Sequence, residues 1–252
     1  QVSKLGTPEV VVQRSQSRFN TNVAWLESRH CFSFGQHYDQ TNTHFGLLMV
    51  SNDDIVAPGA GFDTHPHRDM EIVTWVLSGS LVHQDSQGNN GVIYPGLAQR
   101  MSAGRGILHS EKNDSWRLTG TPEHSDPVHF IQMWVLPDTP GINPGYQQLD
   151  INDQLDSTGL AVVASGLAEH SHTTAIHIAQ SRAGLLAGRL APGERQGLPT
   201  APRLHLFVAV GAVELESGER LEAGDSARMS ESGGIAVTAG SAGAEILVWQ
   251  MH

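Results

Sequence analysis

The chain has 252 residues, of which 39% are hydrophobic and 16% are charged. This balance excludes a disordered chain and allows one large domain or two small ones. Lys and Arg number 15 against 26 Asp and Glu, which gives a formal net charge of −11. So acidic a surface repels phosphate backbones, and we therefore expect no direct binding of nucleic acid.

The sequence also bears on compartment and membrane contact. It contains no run of about 18 apolar residues, so we expect no membrane span. Cys31 is the single cysteine, which excludes an intramolecular disulfide. Together with the lack of an apolar leader, this indicates a reducing compartment and leads us to expect a cytoplasmic protein.

Short apolar runs recur along the chain between Gly, Pro and polar turn residues. In chain order the clearest are "EIVTWVL", "VHFIQMWVL", "RLHLFVAV" and "EILVWQM", which are rich in Val, Ile, Leu and aromatic residues and have strand-like lengths. No long segment has a 3.6-residue apolar period, and the best helix candidate, residues 147–157 ("QQLDINDQLDS"), is weak. The predicted class is all-β, a sandwich or a barrel.

The chain contains an internal repeat. Residues 76–107 align with residues 208–235 when Gly79 is placed opposite Gly211. In both copies a strand, a polar turn and a second strand follow this glycine, and the turn is shorter in the second copy. The repeat predicts two β modules in tandem.

The two modules are separated by a stretch rich in Pro and Gly, "PDTPGINPGYQ", at residues 137–147. Such a stretch is typical of the connection between domains. We therefore predict an amino-terminal domain over residues 1–145 and a carboxy-terminal domain over residues 146–252.

The first module carries two pairs of polar residues with the spacing of metal ligands on a strand. His65 and His67 lie two residues apart, and so do His109 and Glu111. Side chains at i and i+2 of a strand point the same way, with Cα atoms about 6.5–7 Å apart, so each pair can reach one ion. Glu71 is an alternative carboxylate, because it shares the strand parity of His67 and lies four residues on.

The repeat provides a control for these residues. Their counterparts in the second module are Gly197, Pro199, Val237 and Ala239. The modular fold therefore does not need polar groups at these positions, which favours a function for them. The counterpart of Glu71 is Arg203, so the comparison does not decide between the two acids. Three imidazoles and a carboxylate suit a divalent first-row transition metal, and the lack of thiolate argues against a closed structural zinc site.

The other histidines have weaker contexts. His170 and His172 form a second pair with this spacing, but no partner motif follows them, so we expect both on the surface. His205, in "LHLF", is expected to be a hydrogen-bonded histidine of the core or of an interface. Six more have no comparable context: His30, His37, His44, His83, His124 and His129.

Two spacings resemble the motifs of cupins: Gly59-x5-His65-x-His67-x3-Glu71-x7-Gly79 and Gly106-x2-His109-x3-Asn113. More narrowly, "RHCFSFG", "SNDDIVAPGAGFDTHPHRDMEIVTWVLSGSLVHQDSQGN", "YPGLAQRMSAGRGILHSEKN" and "IQMWVLP" resemble the pirin family, whose members have two cupin domains. The resemblance covers most of residues 29–137, and the second half is similar to a pirin carboxy-terminal cupin. It implies a bicupin, two tandem antiparallel β-barrels of the double-stranded β-helix or jelly-roll type.

The pirin resemblance also implies a ligand set. It places one divalent transition metal in the first cupin, held by His65, His67, His109 and Glu111, and it leaves the second cupin metal-free. This favours Glu111 over Glu71. Iron, as Fe²⁺, is the first choice of metal, although manganese, nickel, copper, cobalt and zinc accept the same ligands. The family further suggests a monomer.

The resemblance implies two functions of different classes. The first is a quercetin 2,3-dioxygenase, which opens flavonols with O2 and releases CO, with Glu111 as the base that takes the proton of the flavonol 3-hydroxyl. Phe62 and Met133 are candidate walls of its substrate pocket, although core packing is the expected role for both. The second is a metal-dependent or redox-sensing regulator that acts on a protein partner. A metal-dependent hydrolase or isomerase is a weaker third hypothesis.

Overall fold

The computed structural model of the chain describes residues 9–157, 159–232 and 234–252. Strands dominate these residues, and the two α-helices within them are short, α1 (Trp116–Thr119) and α2 (Asn152–Ser157). The all-β prediction is confirmed. In this part of the chain no helix has the length and the apolar character that crossing a bilayer requires.

The amino-terminal half consists of two facing sheets. The first twelve strands are β1 (Glu9–Gln13), β2 (Phe19–Val23), β3 (Leu26–His30), β4 (Leu48–Val56), β5 (Gly61–His67), β6 (Glu71–Ser78), β7 (Leu81–Asp85), β8 (Asn90–Ile93), β9 (Leu97–Ser102), β10 (Ile107–Lys112), β11 (Val128–Val135) and β12 (Gly145–Asp150). A seven-stranded sheet has the order β12-β9-β6-β11-β4-β3-β2, and a four-stranded sheet has the order β5-β10-β7-β8. The remaining strand, β1, joins the sheet of the carboxy-terminal half. Val76, Leu81 and Phe130, drawn from both sheets, belong to one buried apolar cluster.

The carboxy-terminal half is built on a nine-stranded sheet. Its own strands are β13 (Ala161–Ser165), β14 (Ile176–His177), β15 (Ala183–Leu190), β16 (Arg195–Gly197), β17 (Ala201–Leu215), β18 (Arg220–Glu222), β19 (Ser226–Ser232) and β20 (Ala236–Met251). The main path is β1-β19-β17-β20-β15-β13-β14, while β16 pairs with β20 and β18 pairs with β17. Leu206, Met229 and Val248 lie in its buried cluster.

A third apolar cluster joins the two halves. It contains Trp75 and Met133 from the amino-terminal half together with Phe207 and Trp249 from the carboxy-terminal half, all buried. Apolar area shared in this way stabilises the contact between the halves.

The repeat is visible in the strand pairing. β5 pairs with β10 and places His65 opposite His109. The counterpart strands in the second module, β16 and β20, also pair. There Gly197, the counterpart of His65, lies opposite Ala236, one residue away from Val237, the counterpart of His109 in the sequence alignment. The edge strands, however, are exchanged between the halves. β12 lies beside β9 of the first sheet, and β1 lies beside β19 of the carboxy-terminal sheet. β1 thus belongs to the first predicted domain in sequence but pairs with the second, and β12 shows the reverse. The domain division at residue 145 therefore stays a prediction.

The helix predicted for residues 147–157 is wrong in its first half. Residues Gly145–Asp150 form β12, whose backbone pairs with β9, and only Asn152–Ser157 is helical. Strand pairing overrides the weak helical propensity of "QQLD". The Asp150 carboxylate then accepts the Asn152 backbone N–H at 2.9 Å, a turn that starts the helix.

Candidate metal centre

Three predicted ligands come together in the four-stranded sheet. His65 and His67 lie on β5, and His109 lies on the neighbouring β10, directly opposite His65. Their ring centroids are 4.5 to 4.8 Å apart. One ring nitrogen of each lies within 4.8 Å of the others, which is the distance range of ligands around one ion.

The ring nitrogens of this cluster are arranged to donate lone pairs. His65 Nδ1 lies 2.6 Å from the Asp63 carbonyl oxygen, so an N–H at this position leaves Nε2 as the free lone pair. The Nε2 atoms of His67 and His109 are buried without a hydrogen-bond partner in the described structure. A buried nitrogen without a partner is costly, and a metal ion at the centre of the cluster satisfies it. The cluster therefore fits a divalent transition metal.

Burial keeps the imidazoles of His67 and His109 neutral, which is the form that binds metals. It lowers the pKa of His67 to about 4, and the neighbouring His65 acts in the same direction. It lowers the pKa of His109 to about 2, again with the adjacent imidazoles adding to the effect. Metal binding therefore needs no deprotonation of these two side chains near neutral pH.

Glu111 lies beside the histidine cluster. A register irregularity of β10 separates it from His109, and its Oε1 is 3.5 Å from His109 Nε2. Its Oε2 accepts a hydrogen bond from Gln132 Nε2 at 2.7 Å. Burial raises the pKa of Glu111 to about 8, although the bond from Gln132 opposes this rise. The predicted fourth ligand is therefore adjacent to the three imidazoles, and its coordination of a metal stays a prediction.

Glu71, the alternative carboxylate, is engaged elsewhere. It lies on β6 in the seven-stranded sheet, fully buried. Its Oε1 accepts hydrogen bonds from Ser102 Oγ at 2.9 Å and from the Ala179 backbone N–H at 2.6 Å. These contacts hold Glu71 against the carboxy-terminal half and give it a structural role.

His83 and Asp85 are linked to the cluster through His109, and neither is identified as a site residue by the sequence alone. His83 Nδ1 lies 3.4 Å from His109 Nδ1, and His83 Nε2 lies 2.7 Å from Asp85 Oδ2. The Tyr146 ring stacks on His83 at 4.7 Å between centroids. One protonation pattern satisfies the chain: His83 donates to Asp85 and accepts from His109, whose Nε2 is then free for a metal. The available signal was the i, i+2 spacing of "HQD" on a strand.

Gln132 fixes the orientation of Glu111, and it too carried no signal in the sequence. Its Nε2 donates to Glu111 and also lies 3.3 Å from Thr74 Oγ1, while its Oε1 accepts the Trp134 indole N–H at 3.0 Å. Both ends of the amide are thus engaged, which determines which way it points. Gln132 lies in the middle of β11, inside a run that reads as an ordinary core strand.

A cavity of about 210 Å³ adjoins the cluster. His65, His67 and Glu111 line it, and its apolar lining includes Phe34, Phe62 and Trp134. The remaining lining residues are Thr21, Leu26, Ser28, His30, Asn52, Asp54 and Gln132. Phe62 therefore lines the cavity. Met133 does not, because its side chain points into the core between the halves.

Two expectations about the other histidines need correction. His170 is buried, not on the surface, because a short 3-10 turn brings its Nδ1 to 2.8 Å from Ser165 Oγ. Its neighbour His172 is exposed, as predicted. His205 is buried against Phe32, but its Nε2 has no hydrogen-bond partner in the described residues, so the expected satisfied state is wrong for that atom.

The sequence relationships of the chain agree with this geometry. Residues 11–135 match the family model described as Pirin, and residues 162–251 match that of the quercetinase C-terminal cupin domain. A Mycobacterium tuberculosis protein is 53% identical over 98% of this chain and 96% of its own length. The chain belongs to the pirin family. The predicted two-cupin fold is confirmed by these matches.

Solved pirin structures agree in fold over nearly the whole chain. The Escherichia coli protein YhhW covers 97% of this pirin and 98% of its own chain, with a TM-score of 0.85 and 32% identity. A second YhhW structure, described as a bacterial pirin in complex with nickel(II), has a TM-score of 0.84 and 31% identity over 96% of this chain and 99% of its own. The M. tuberculosis relative is provisionally named as a quercetin 2,3-dioxygenase.

Proposed function

We propose that this pirin is a metal-dependent dioxygenase that opens flavonols such as quercetin with O2 and releases CO. The observation that carries the proposal is the convergence of three imidazoles and a buried carboxyl beside a cavity that aromatic rings also line. The names of its relatives support the reaction class, and the nickel(II) complex of YhhW supports a metal at such a site. An aromatic cavity is suited to a small flat substrate more than to a protein partner.

His65, His67, His109 and Glu111 are the proposed ligands of a divalent metal, with iron as the first choice. When bound, such an ion acts as a Lewis acid that lowers the pKa of a coordinated hydroxyl group. Four protein ligands would leave coordination positions of such an ion open to a substrate hydroxyl.

The side chains around this site have distinct proposed roles. Glu111 accepts the proton of the flavonol 3-hydroxyl on the oxygen that faces His109, while Gln132 holds its other oxygen. Phe34, Phe62 and Trp134 pack against the flat rings and exclude water from them. The roles of these residues in positioning the substrate follow from their place in the cavity wall.

The test is aerobic turnover of quercetin by protein loaded separately with each candidate metal, measured as loss of its visible absorbance and as CO released. We expect one CO for each quercetin consumed. His65→Ala should lose both metal and turnover while the circular dichroism of the fold is kept. His172→Ala is the matched control, because it removes an exposed histidine with the same sequence spacing. Absence of turnover in every fully loaded form would refute the proposal for this substrate.

A further inference from the structure

The stretch "NDD" on β4 sends its two aspartates to opposite sides of the sheet. Asp53 accepts from Arg18 Nη1 at 2.7 Å and pairs with His129 Nε2 at 2.6 Å. Asp54, one residue on, lines the cavity of the metal centre instead. No ion pair to Asp54 occurs in the described part of the chain. The carboxyl of Asp54 therefore lacks basic partners such as those that Arg18 and His129 provide for Asp53.

A buried carboxyl without a cationic partner needs another explanation. Asp54 is only 4% exposed, and burial raises its pKa to about 7 against the opposing hydrogen bond from Ser28. Ser28 lies directly opposite it on β3 and donates its hydroxyl to Asp54 Oδ1. This bond orients the carboxyl and leaves Oδ2 without a hydrogen-bond donor in the described structure. Packing alone would be served better by an apolar side chain at this position.

The position of Asp54 in the same cavity as the proposed ligands allows its free oxygen to bind a group of the substrate. The proposed ligands come from the four-stranded sheet, whereas Asp54 belongs to the facing seven-stranded sheet. Both line one cavity, and Phe34, Phe62 and Trp134 line it too. A flat aromatic molecule held by these rings, with one hydroxyl at the histidine cluster, can direct another hydroxyl towards this wall.

We propose that Asp54, oriented by Ser28, is a binding subsite for a phenolic hydroxyl remote from the one that reaches the histidine cluster. The inference rests on the proposed flavonol function and narrows its substrate class to polyhydroxylated aromatic compounds. The phenolic O–H donates to the carboxyl oxygen that Ser28 leaves free. A substrate without this hydroxyl leaves the carboxyl buried and unpaired, and a site of this kind discriminates strongly against such analogues.

The test compares two flavonols on metal-loaded protein in the absence of oxygen, so that binding is measured without turnover. Quercetin carries hydroxyls on both of its ring systems, whereas 3-hydroxyflavone keeps only the hydroxyl expected at the histidine cluster. The dissociation constants are obtained from quenching of tryptophan fluorescence. The wild type should bind quercetin about tenfold more tightly or better. Asp54→Asn, loaded to the same metal content, should reduce this preference to about threefold or less and leave the affinity for 3-hydroxyflavone unchanged.

Two more variants complete the design. Asp53→Asn is the matched control, because it removes the neighbouring outward carboxylate, and it should keep the full preference. Ser28→Ala should weaken the preference in part, since Asp54 loses the donor that orients it, and this variant decides the matter if Asp54→Asn does not fold.

The outcomes separate this inference from the proposed function. An Asp54→Asn protein that keeps the preference for quercetin overturns the subsite and leaves flavonol turnover standing. A wild type that binds neither flavonol, or both equally, also overturns it. A preference that is lost in Asp54→Asn, in a protein that does not turn quercetin over, supports the subsite and refutes the dioxygenase proposal.

Discussion

His83 Nδ1 lies 3.4 Å from His109 Nδ1, and the opposite nitrogen of His83 is held by Asp85 at 2.7 Å. The carboxylate therefore fixes one imidazole, which in turn fixes the ring of a proposed ligand. Because the chain of contacts ends at His109, the free Nε2 of that ring is directed towards His65 and His67.

We expect His83→Ala to weaken metal binding about 10- to 100-fold, because His109 loses the partner that sets its tautomer and ring orientation. Asp85→Asn should have a smaller effect in the same direction. The measurement is metal affinity by competition with a chelator. Gln84→Ala is the control, since this residue lies between the two on β7 and its side chain is exposed. Equal affinities for His83→Ala and Gln84→Ala would contradict the positioning role.

Gln132 should matter to stability as well as to activity. Gln132→Leu leaves the buried Glu111 carboxyl and the Trp134 indole N–H without their partners, which costs about 1–3 kcal/mol in the free energy of unfolding. Turnover should fall further than metal content, because Glu111 loses its orientation. Urea unfolding and metal analysis measure the two effects. Thr74→Val removes only the 3.3 Å contact of the same amide and should change both little; a Gln132→Leu protein as stable and active as this control would refute the prediction.

Asp54 should make the stability of the protein depend on pH. Burial raises its pKa to about 7 in the folded state, whereas an unfolded aspartate titrates near ~3.9, so the folded state binds the extra proton between these values. The stability that Asp54 contributes is therefore fully present below about pH 4 and is lost as pH rises towards 7, with a slope of at most about 1.4 kcal/mol per pH unit. The charged groups that act on Asp54 are Asp53, which raises the pKa further, and His129, which lowers it, and Asp54 in turn raises the pKa of Glu111.

The measurement is the difference in unfolding free energy between wild type and Asp54→Asn from pH 4.5 to 8. Taking the difference removes the titrations that both proteins share. Relative to the variant, the wild type should lose stability with rising pH. A difference that is flat with pH, or that has the opposite slope, would contradict a raised pKa for Asp54 in the folded state.

Gly79 and Gly211, the glycines that align the two copies of the repeat, should be sensitive to substitution. Gly79 and Gly211 have φ values of 76° and 74°, and a Cβ there would lie 2.5 Å from the Pro127 carbonyl oxygen and 2.1 Å from that of Gly243. Substitution by Ala should cost about 1–3 kcal/mol from backbone strain, and more from the close approach to the backbone. Thermal unfolding measures it. Gly88→Ala is the control, because its φ is also positive, at 87°, but nothing lies within 4 Å of the added Cβ; equal losses at all three positions would show that the close approach contributes nothing.

The sequence by itself determined the features that depend on local chain order. Two-residue spacing places His65 beside His67 on one face of a strand, and the repeat shows that the modules do not need these histidines. The repeated turn glycines and the apolar runs predict the all-β class, because strand alternation and positive φ values are properties of short stretches. The pirin resemblance was likewise contained in contiguous motifs.

Only the tertiary structure decided which residues from distant strands meet. Gln132 and Asp54 look like ordinary strand residues in the sequence, and His83 and Asp85 show only the two-residue spacing of "HQD". All four acquire roles through strand register and through the facing of the two sheets. The exchange of β1 and β12 between the halves also has no local signal, because a strand carries no information about which edge it will join. Hydrogen-bond partners, burial and the resulting pKa shifts depend on these long-range pairings, so they follow from the fold and not from the order of residues along the chain.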